Sequence, residues 1–140
     1  MISDINEYLR LCESDCQEDN RRIVLEELSE EVIVHILKYY PCKYSWLIHN
    51  KSVPIKVLEE LVEKENEDIR FTIAMKKKCN RYIFERLICD KSDSIRFAVV
   101  RNNKLPRDLL IKMTEDSNVE IAKEAQSRLN HKVTKNVIRR

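Results

Sequence analysis

Apolar and polar positions repeat along this chain with a period of 26 residues. One kind of apolar segment begins at residues 54, 80 and 106, and a second kind begins at residues 69, 95 and 121. The register holds without slippage at Ile69, Ile95 and Ile121. A fixed period of this size is typical of stacked repeats, in which no single unit can bury its apolar face alone.

Each unit carries the pattern of two short helices. Ile83 and Leu87 fall on one face of a helix that Asn80 can cap. A turn rich in Asp and Ser follows, because these residues favour turns and caps over helix interiors. Ser92 or Asp93 is then expected to cap the second helix of the unit.

Three regular units and two degenerate upstream ones are predicted, at residues 3–28, 29–53, 54–79, 80–105 and 106–129. We therefore expect an all-α fold, an α-solenoid of four to five two-helix repeats of about 26 residues. The repeats are expected to form a single domain over residues 1–130. A basic tail with a frayed end is expected at residues 130–140.

The units at 54–79 and 80–105 share a further pattern. Paired Leu or Val positions lead to an acid-rich turn and then to Ile-Arg-x-x-Ile/Val, and Pro54 opens the first of these units. Over about residues 29–128 this resembles the leucine-rich variant repeat, a relative of HEAT-type solenoids, although Ala122 replaces the arginine in the last unit. The resemblance implies a right-handed superhelix of alternating longer and shorter helices. It also implies a habit of binding partners and no particular chemistry.

Composition argues against catalysis and cofactors. The chain has no glycine, which excludes phosphate-binding loops and dinucleotide fingerprints. Its three histidines lie in different units, and none accompanies a cysteine and an acid in a known catalytic pattern. Some leucine-rich variant repeat proteins hold an iron–sulfur cluster on four closely grouped cysteines, but Cys12, Cys16 and Cys42 do not form such a group. We expect no catalytic residue, no metal and no cofactor.

Three features of the sequence bear on the cellular compartment of the protein. No apolar run is long enough to cross a membrane, and the mixed, acidic start is unlike a signal peptide. The five cysteines are an odd number, which fits reduced thiols. We therefore expect a cytoplasmic protein.

Charge is distributed unevenly along the sequence. Residues 1–40 hold ten acidic and four basic side chains, whereas residues 101–140 hold five acidic and ten basic ones. A solenoid would turn this into an acidic end and a basic end. Such a charge distribution steers charged partners toward one end.

Acidic side chains near the start, and aromatic and arginine side chains at one repeat position, are the candidate partner-binding residues. Aromatics and arginines are enriched in protein interfaces. The candidates are Glu13, Asp15, Glu18, Asp19, Glu26, Glu30, Tyr44, Trp46, Arg70, Phe71, Arg96 and Phe97. In the alternative interpretation, the phenylalanines pack between repeats and the arginines pair with turn acids such as Asp68 or Asp93.

These observations favour a non-enzymatic, protein-binding function. Small size, an acidic end and the lack of catalytic patterns predict an immunity protein, an antitoxin that neutralises a bacterial toxin such as a nuclease. The partner is then a basic toxin domain.

The alternative function is nucleic-acid binding through basic turns between repeats. Lys76, Lys77, Lys78 and Arg81 form one such turn, and Arg101, Lys104 and Arg107 form the equivalent turn one period later.

Overall fold

The computed structural model describes residues 1–138, apart from the side chain of residue 133. Over this range the chain is all-helical, which confirms the predicted fold class, and it forms ten α-helices and one 3₁₀-helix at Pro41–Lys43. The α-helices are α1 (Ile5–Glu13), α2 (Gln17–Leu25), α3 (Glu30–Tyr39), α4 (Tyr44–His49), α5 (Ile55–Leu61), α6 (Glu67–Ala74), α7 (Arg81–Leu87), α8 (Asp93–Val100), α9 (Arg107–Met113) and α10 (Val119–Ile138). None of the helices in the described range is long and apolar enough to cross a membrane.

The frayed end expected for the tail stays a prediction. Residues 130–138 continue α10 as regular helix as far as Ile138. The segment lacks glycine and proline, so no residue in it breaks the helix that Val119 begins. The last two residues of the predicted tail lie outside the described residues.

The chain divides into two compact units, Met1–Leu58 (unit 1) and Glu59–Arg140 (unit 2). Unit 1 holds ten acidic and seven basic side chains, whereas unit 2 holds fourteen acidic and nineteen basic ones. The single domain predicted from the sequence, and its assembly into a solenoid, stay predictions.

Unit 1 closes its core with the N-terminal segment and one buried amide. Ile2 is fully buried, and its backbone bonds to Glu27 and Ser29 at 2.8 and 3.0 Å. Asn50 is also fully buried, and its Nδ2 donates to the carbonyl oxygens of Ile23 and Glu26, both at 2.8 Å. The amide satisfies acceptors that the end of α2 would otherwise leave without partners.

In unit 2 the 26-residue period corresponds to equivalent buried positions. Leu61, Leu87 and Met113 are 0, 1 and 2 % exposed. Asn80 caps α7 as predicted, since its Oδ1 accepts from the N–H of Ile83 at 3.0 Å. Ser92 occupies the N-cap position of α8, although its hydroxyl makes no capping bond there.

The loop that follows α8 is fixed by Asn102. Its Nδ2 donates to the carbonyl oxygens of Ala74 and Lys76, each at 3.0 Å, and its Oδ1 accepts from the Lys104 N–H at 2.9 Å. This amide ties the segment after α8 to the C-terminal end of α6, because the last carbonyls of a helix need partners. It thereby holds the turn after α6 and the turn after α8 next to each other.

Candidate functional site

An open groove of about 690 Å³ lies in unit 2 along α6 and α8. Its apolar wall is formed by Phe71, Met75 and Phe97, and its charged rim by Lys77, Arg101 and Lys104. These six residues define the unit 2 groove. Phe71 and Phe97 are the two phenylalanines that the repeat register had marked as partner-binding residues.

Helix spacing and the repeat together position the wall. Phe71 and Met75 stand four residues apart, so they lie on one face across the end of α6. Phe97 and Arg101 occupy the same two positions one period later, at the end of α8. Since α6 packs against α8, the two pairs face the same groove.

The wall is exposed rather than packed. Phe71 is 40 % exposed and Met75 is 63 % exposed, and Phe97 is half-buried. The Arg101 guanidinium lies over the Phe97 ring at 5.8 Å from its centroid, within cation–π range. The groove thus combines accessible apolar surface with a positive rim.

The predicted contact residues Arg70 and Arg96 lie inside unit 2. They are 7 and 9 % exposed, so they offer little of the surface expected of partner-binding residues. Arg70 Nε donates to Asp90 Oδ2 at 2.7 Å, and Arg96 Nε donates to Asp116 Oδ2 at 2.9 Å. Both pairs span 20 residues, and they recur one period apart. The physical reason for their burial is that each guanidinium finds enough acceptors to replace water.

Each buried arginine with its aspartate, Arg70 with Asp90 and Arg96 with Asp116, forms what we call an arginine clamp. Backbone carbonyls add further acceptors to both clamps. The Arg70 Nη1 donates to the carbonyl oxygens of Lys64 and Glu65 at 3.0 and 2.8 Å. The Arg96 Nη1 donates to the carbonyl of Asp90 at 2.7 Å, and its Nη2 donates to Asp93. Asp93 was one of the turn acids named in the alternative interpretation. The principal acid of each pair, Asp90 or Asp116, instead comes from the turn of the following 26-residue repeat.

Asp90 carries two opposing influences on its protonation. Burial raises the pKa of its carboxyl, whereas hydrogen bonds from Arg70 and from the Ser92 N–H lower it, and the pKa of Asp90 lies below its ordinary value of 3.8. The stability that this difference contributes is present above the pKa of the unfolded aspartate. It is lost as the pH falls from about 4 through the lower pKa of the folded state.

Asp90→Asn is therefore expected to lower the free energy of unfolding at neutral pH and to flatten its decline in acid. The variant has no carboxylate to protonate, so it loses less stability than the wild type between about pH 5 and pH 2. Urea unfolding at a series of pH values measures both effects. Parallel acid declines in the two proteins would show that the clamp does not contribute to acid sensitivity.

The predicted acidic residues lie in unit 1, and several of them are paired. Asp15, Glu18 and Glu30 are exposed. Glu13 Oε1 forms an ion pair with Lys43 Nζ at 3.3 Å. Asp19 and Glu26 are half-buried: Asp19 accepts from the hydroxyl of Ser14 at 2.7 Å, and Glu26 pairs with the guanidinium of Arg22 at 2.6 Å.

The two predicted aromatic residues of unit 1 differ in exposure. Tyr44 is buried at 7 % exposure, and its hydroxyl donates to the carbonyl of Leu37 at 2.7 Å. A hydroxyl held in this way fixes the start of α4 and offers little surface to a partner. Trp46 is half-buried.

The cysteines of the described residues differ in burial and do not form a metal site. Within the described range, no group of three His, Cys, Asp or Glu side chains could hold a metal ion. Burial raises the pKa of the Cys12 thiol to about 11, so this thiol is protonated near neutral pH. Cys16 and Cys42 are exposed and free.

Sequence reasoning missed Met75 and the grouping of the three cations with the phenylalanines. The signal for Met75 was its spacing of four residues from Phe71. Lys77, Arg101 and Lys104 were recognised as basic turns, but only the packing of α6 on α8 places them beside an apolar wall. Comparison with known proteins found no matching family model, curated protein or solved structure.

Proposed function

We propose that this chain is a non-enzymatic protein-binding module whose partner docks in the unit 2 groove. The observation that carries the proposal is the exposed apolar wall of Phe71, Met75 and Phe97 in an open groove of about 690 Å³. Clustered, accessible aromatic and methionine side chains are enriched at protein interfaces, where a partner removes them from water.

The chemical make-up of the groove supports binding rather than catalysis. In the part of the chain that the structure describes, its lining includes cations and the hydroxyl of Ser94, but no carboxylate, thiol or imidazole. Acid–base and nucleophilic catalysis need a group that exchanges a proton near neutral pH or attacks a substrate once activated. The described groove residues include none of the carboxylate, thiol or imidazole groups that commonly fill these roles.

The fold that accompanies this proposal is a right-handed α-solenoid of the leucine-rich variant type. Two features of unit 2 support it. Buried positions recur at 26-residue intervals at Leu61, Leu87 and Met113. The arginine clamps of Arg70 and Arg96 recur at the same interval.

The more specific role of an immunity protein stays a prediction. It depends on a basic toxin domain binding the acidic side chains of unit 1, of which Asp15, Glu18 and Glu30 are exposed. Such charges increase association rates more than they add affinity. The groove carries the opposite charge, so the charge of a purified partner distinguishes the two surfaces.

A photo-crosslinking amino acid at position 75 is expected to capture a protein partner in the native cells. Met75 is 63 % exposed on the groove wall, so the substitution leaves the core of unit 2 intact. The matched control is position 111, where Ile111 is 48 % exposed on α9 and outside the groove. Mass spectrometry of the crosslinked species identifies the partner.

The crosslink at position 75 should disappear when Phe97→Ser is added, because the partner loses part of the wall. Circular dichroism of the double variant checks that it remains helical. The proposal fails if position 75 captures no protein, or if positions 75 and 111 capture the same proteins equally well.

A further inference from the structure

Among the described residues, every charged side chain that lines the unit 2 groove is positive. Lys77 lies beyond the end of α6, and Arg101 and Lys104 lie beyond the end of α8. None of these three forms an ion pair within residues 1–138. Cations with exposed charge and no internal counter-ion attract an anionic ligand.

Two other surface arginines of unit 2, Arg81 and Arg86, differ in this respect. Arg81 and Arg86 are held by Glu85 and Glu63 at 2.7 and 2.6 Å. Arg81 also binds Asp108. The charge of these side chains is therefore already compensated within the unit, and the groove rim is not.

Among the neutral polar side chains of the groove, Asn103 offers a donor and the Ser94 hydroxyl can donate or accept. The amide oxygen of Asn103 accepts from the Arg128 guanidinium, which leaves its NH₂ group as the available donor. The Asn102 amide is fully used by the backbone of unit 2. The rim cations and the Asn103 NH₂ group therefore favour a ligand that brings acceptors, which carboxylates provide.

The apolar wall distinguishes a peptide from a nucleic acid. Phe71, Met75 and Phe97 suit burial of an aliphatic or aromatic side chain, and methionine adapts its shape to such groups. Nucleic-acid affinity instead grows with the number of phosphates that cations neutralise. In the predicted basic turn, Arg81 already pairs with Asp108 and Glu85. This leaves fewer cations in the turn to neutralise phosphates.

We propose that the unit 2 groove binds an acidic peptide segment of a partner protein. At least one large apolar side chain of the segment inserts between Phe71, Met75 and Phe97, and its carboxylates lie on Lys77, Arg101 and Lys104. The inference rests on the proposed protein-binding function and adds the charge and chemistry of the partner.

The test is a display selection of short random peptides on the full chain. Binders are first depleted on a variant that combines Met75→Ser with Lys77→Glu, Arg101→Glu and Lys104→Glu. These four side chains are exposed, so the variant keeps the buried core, and circular dichroism verifies its helix content. The enriched peptides are expected to be net negative and to contain a large apolar residue.

Binding of an enriched peptide is then measured by fluorescence anisotropy at increasing salt. Its affinity should fall with salt, and the triple reversal Lys77→Glu/Arg101→Glu/Lys104→Glu should weaken it by about tenfold or more. The matched control reverses three exposed lysines outside the groove, Lys112, Lys123 and Lys135, and should change the affinity much less.

Several outcomes would overturn the inference. Enriched peptides that are neutral or basic, no enrichment at all, or equal effects of the two triple reversals would each contradict it. Oligouridylate or oligothymidylate that binds the wild type and not the groove variant would identify nucleic acid as the ligand instead.

Failure of the inference can be told from failure of the proposed function. A specific crosslink at position 75, together with peptides that are not acidic, would refute only the chemistry assigned to the partner. No crosslink at position 75 would refute the binding function of the groove itself.

Discussion

Arg70→Met is expected to lower the free energy of unfolding by about 3 kcal/mol, because it leaves a buried carboxylate without its partner. Arg70 and Asp90 expose only 8 and 7 % of their side chains, and their closest atoms are 2.7 Å apart. Methionine retains most of the apolar stem of arginine, so the change removes the charge and the hydrogen bonds more than the packing. Chemical denaturation at neutral pH measures the difference.

The matched control is Arg86→Met. Arg86 also forms a close ion pair, with Glu63 at 2.6 Å, but the two side chains are 55 and 43 % exposed. An exposed pair contributes about 0–1 kcal/mol, so this variant should remain near wild-type stability. Equal losses in the two variants would contradict the role assigned to burial.

Adding Asp90→Asn to Arg70→Met should restore part of the lost stability. The amide removes the unpaired charge and can still accept from the Ser92 N–H, which lies 2.9 Å from Asp90 Oδ1. In a double-mutant cycle the two changes are therefore expected to be non-additive. Strict additivity would show that the two side chains act independently.

Leu87→Ala is expected to cost about 2–5 kcal/mol, from lost burial and from the cavity that remains. Leu87 is 1 % exposed, at the buried position that recurs in each regular 26-residue repeat within unit 2. Differential scanning calorimetry or urea unfolding measures the effect.

Leu87→Met should be tolerated far better, at less than about 1.5 kcal/mol, since it nearly conserves volume. The chain itself places Met113 at the equivalent position, 2 % exposed. Ile111→Ala, at a position 48 % exposed, is the surface control and should change stability by no more than about 0.5 kcal/mol. A neutral Leu87→Ala would refute the buried register.

Much of the helical pattern was predictable because it depends on local features. The period-3.6 spacing of Ile83 and Leu87 predicted α7, and Asn80 caps it as expected. The length of α10 was not predicted from the sequence. The polar, basic composition of residues 130–138 suggested fraying, but the segment contains no residue that breaks a helix, and it continues to Ile138.

The candidate site was predictable only in part. The repeat register picked out Phe71 and Phe97, and both line the groove. The same register also picked out Arg70 and Arg96, and both are buried. In sequence, the arginine and phenylalanine of each pair are neighbours at the edge of the apolar face, and the pattern does not say which of them turns inward.

The sequence by itself determined that this protein is helical, where apolar residues recur, and that one repeat position holds aromatic and arginine side chains. Only the tertiary structure decided which of these side chains are available to a partner. The physical reason is that an arginine can be buried only where acceptors replace water. For Arg70 the carboxylate comes from Asp90, 20 residues further along the chain. With the arginines held in this way, the phenylalanines face the groove, where the packing of α6 on α8 places them beside Lys77, Arg101 and Lys104.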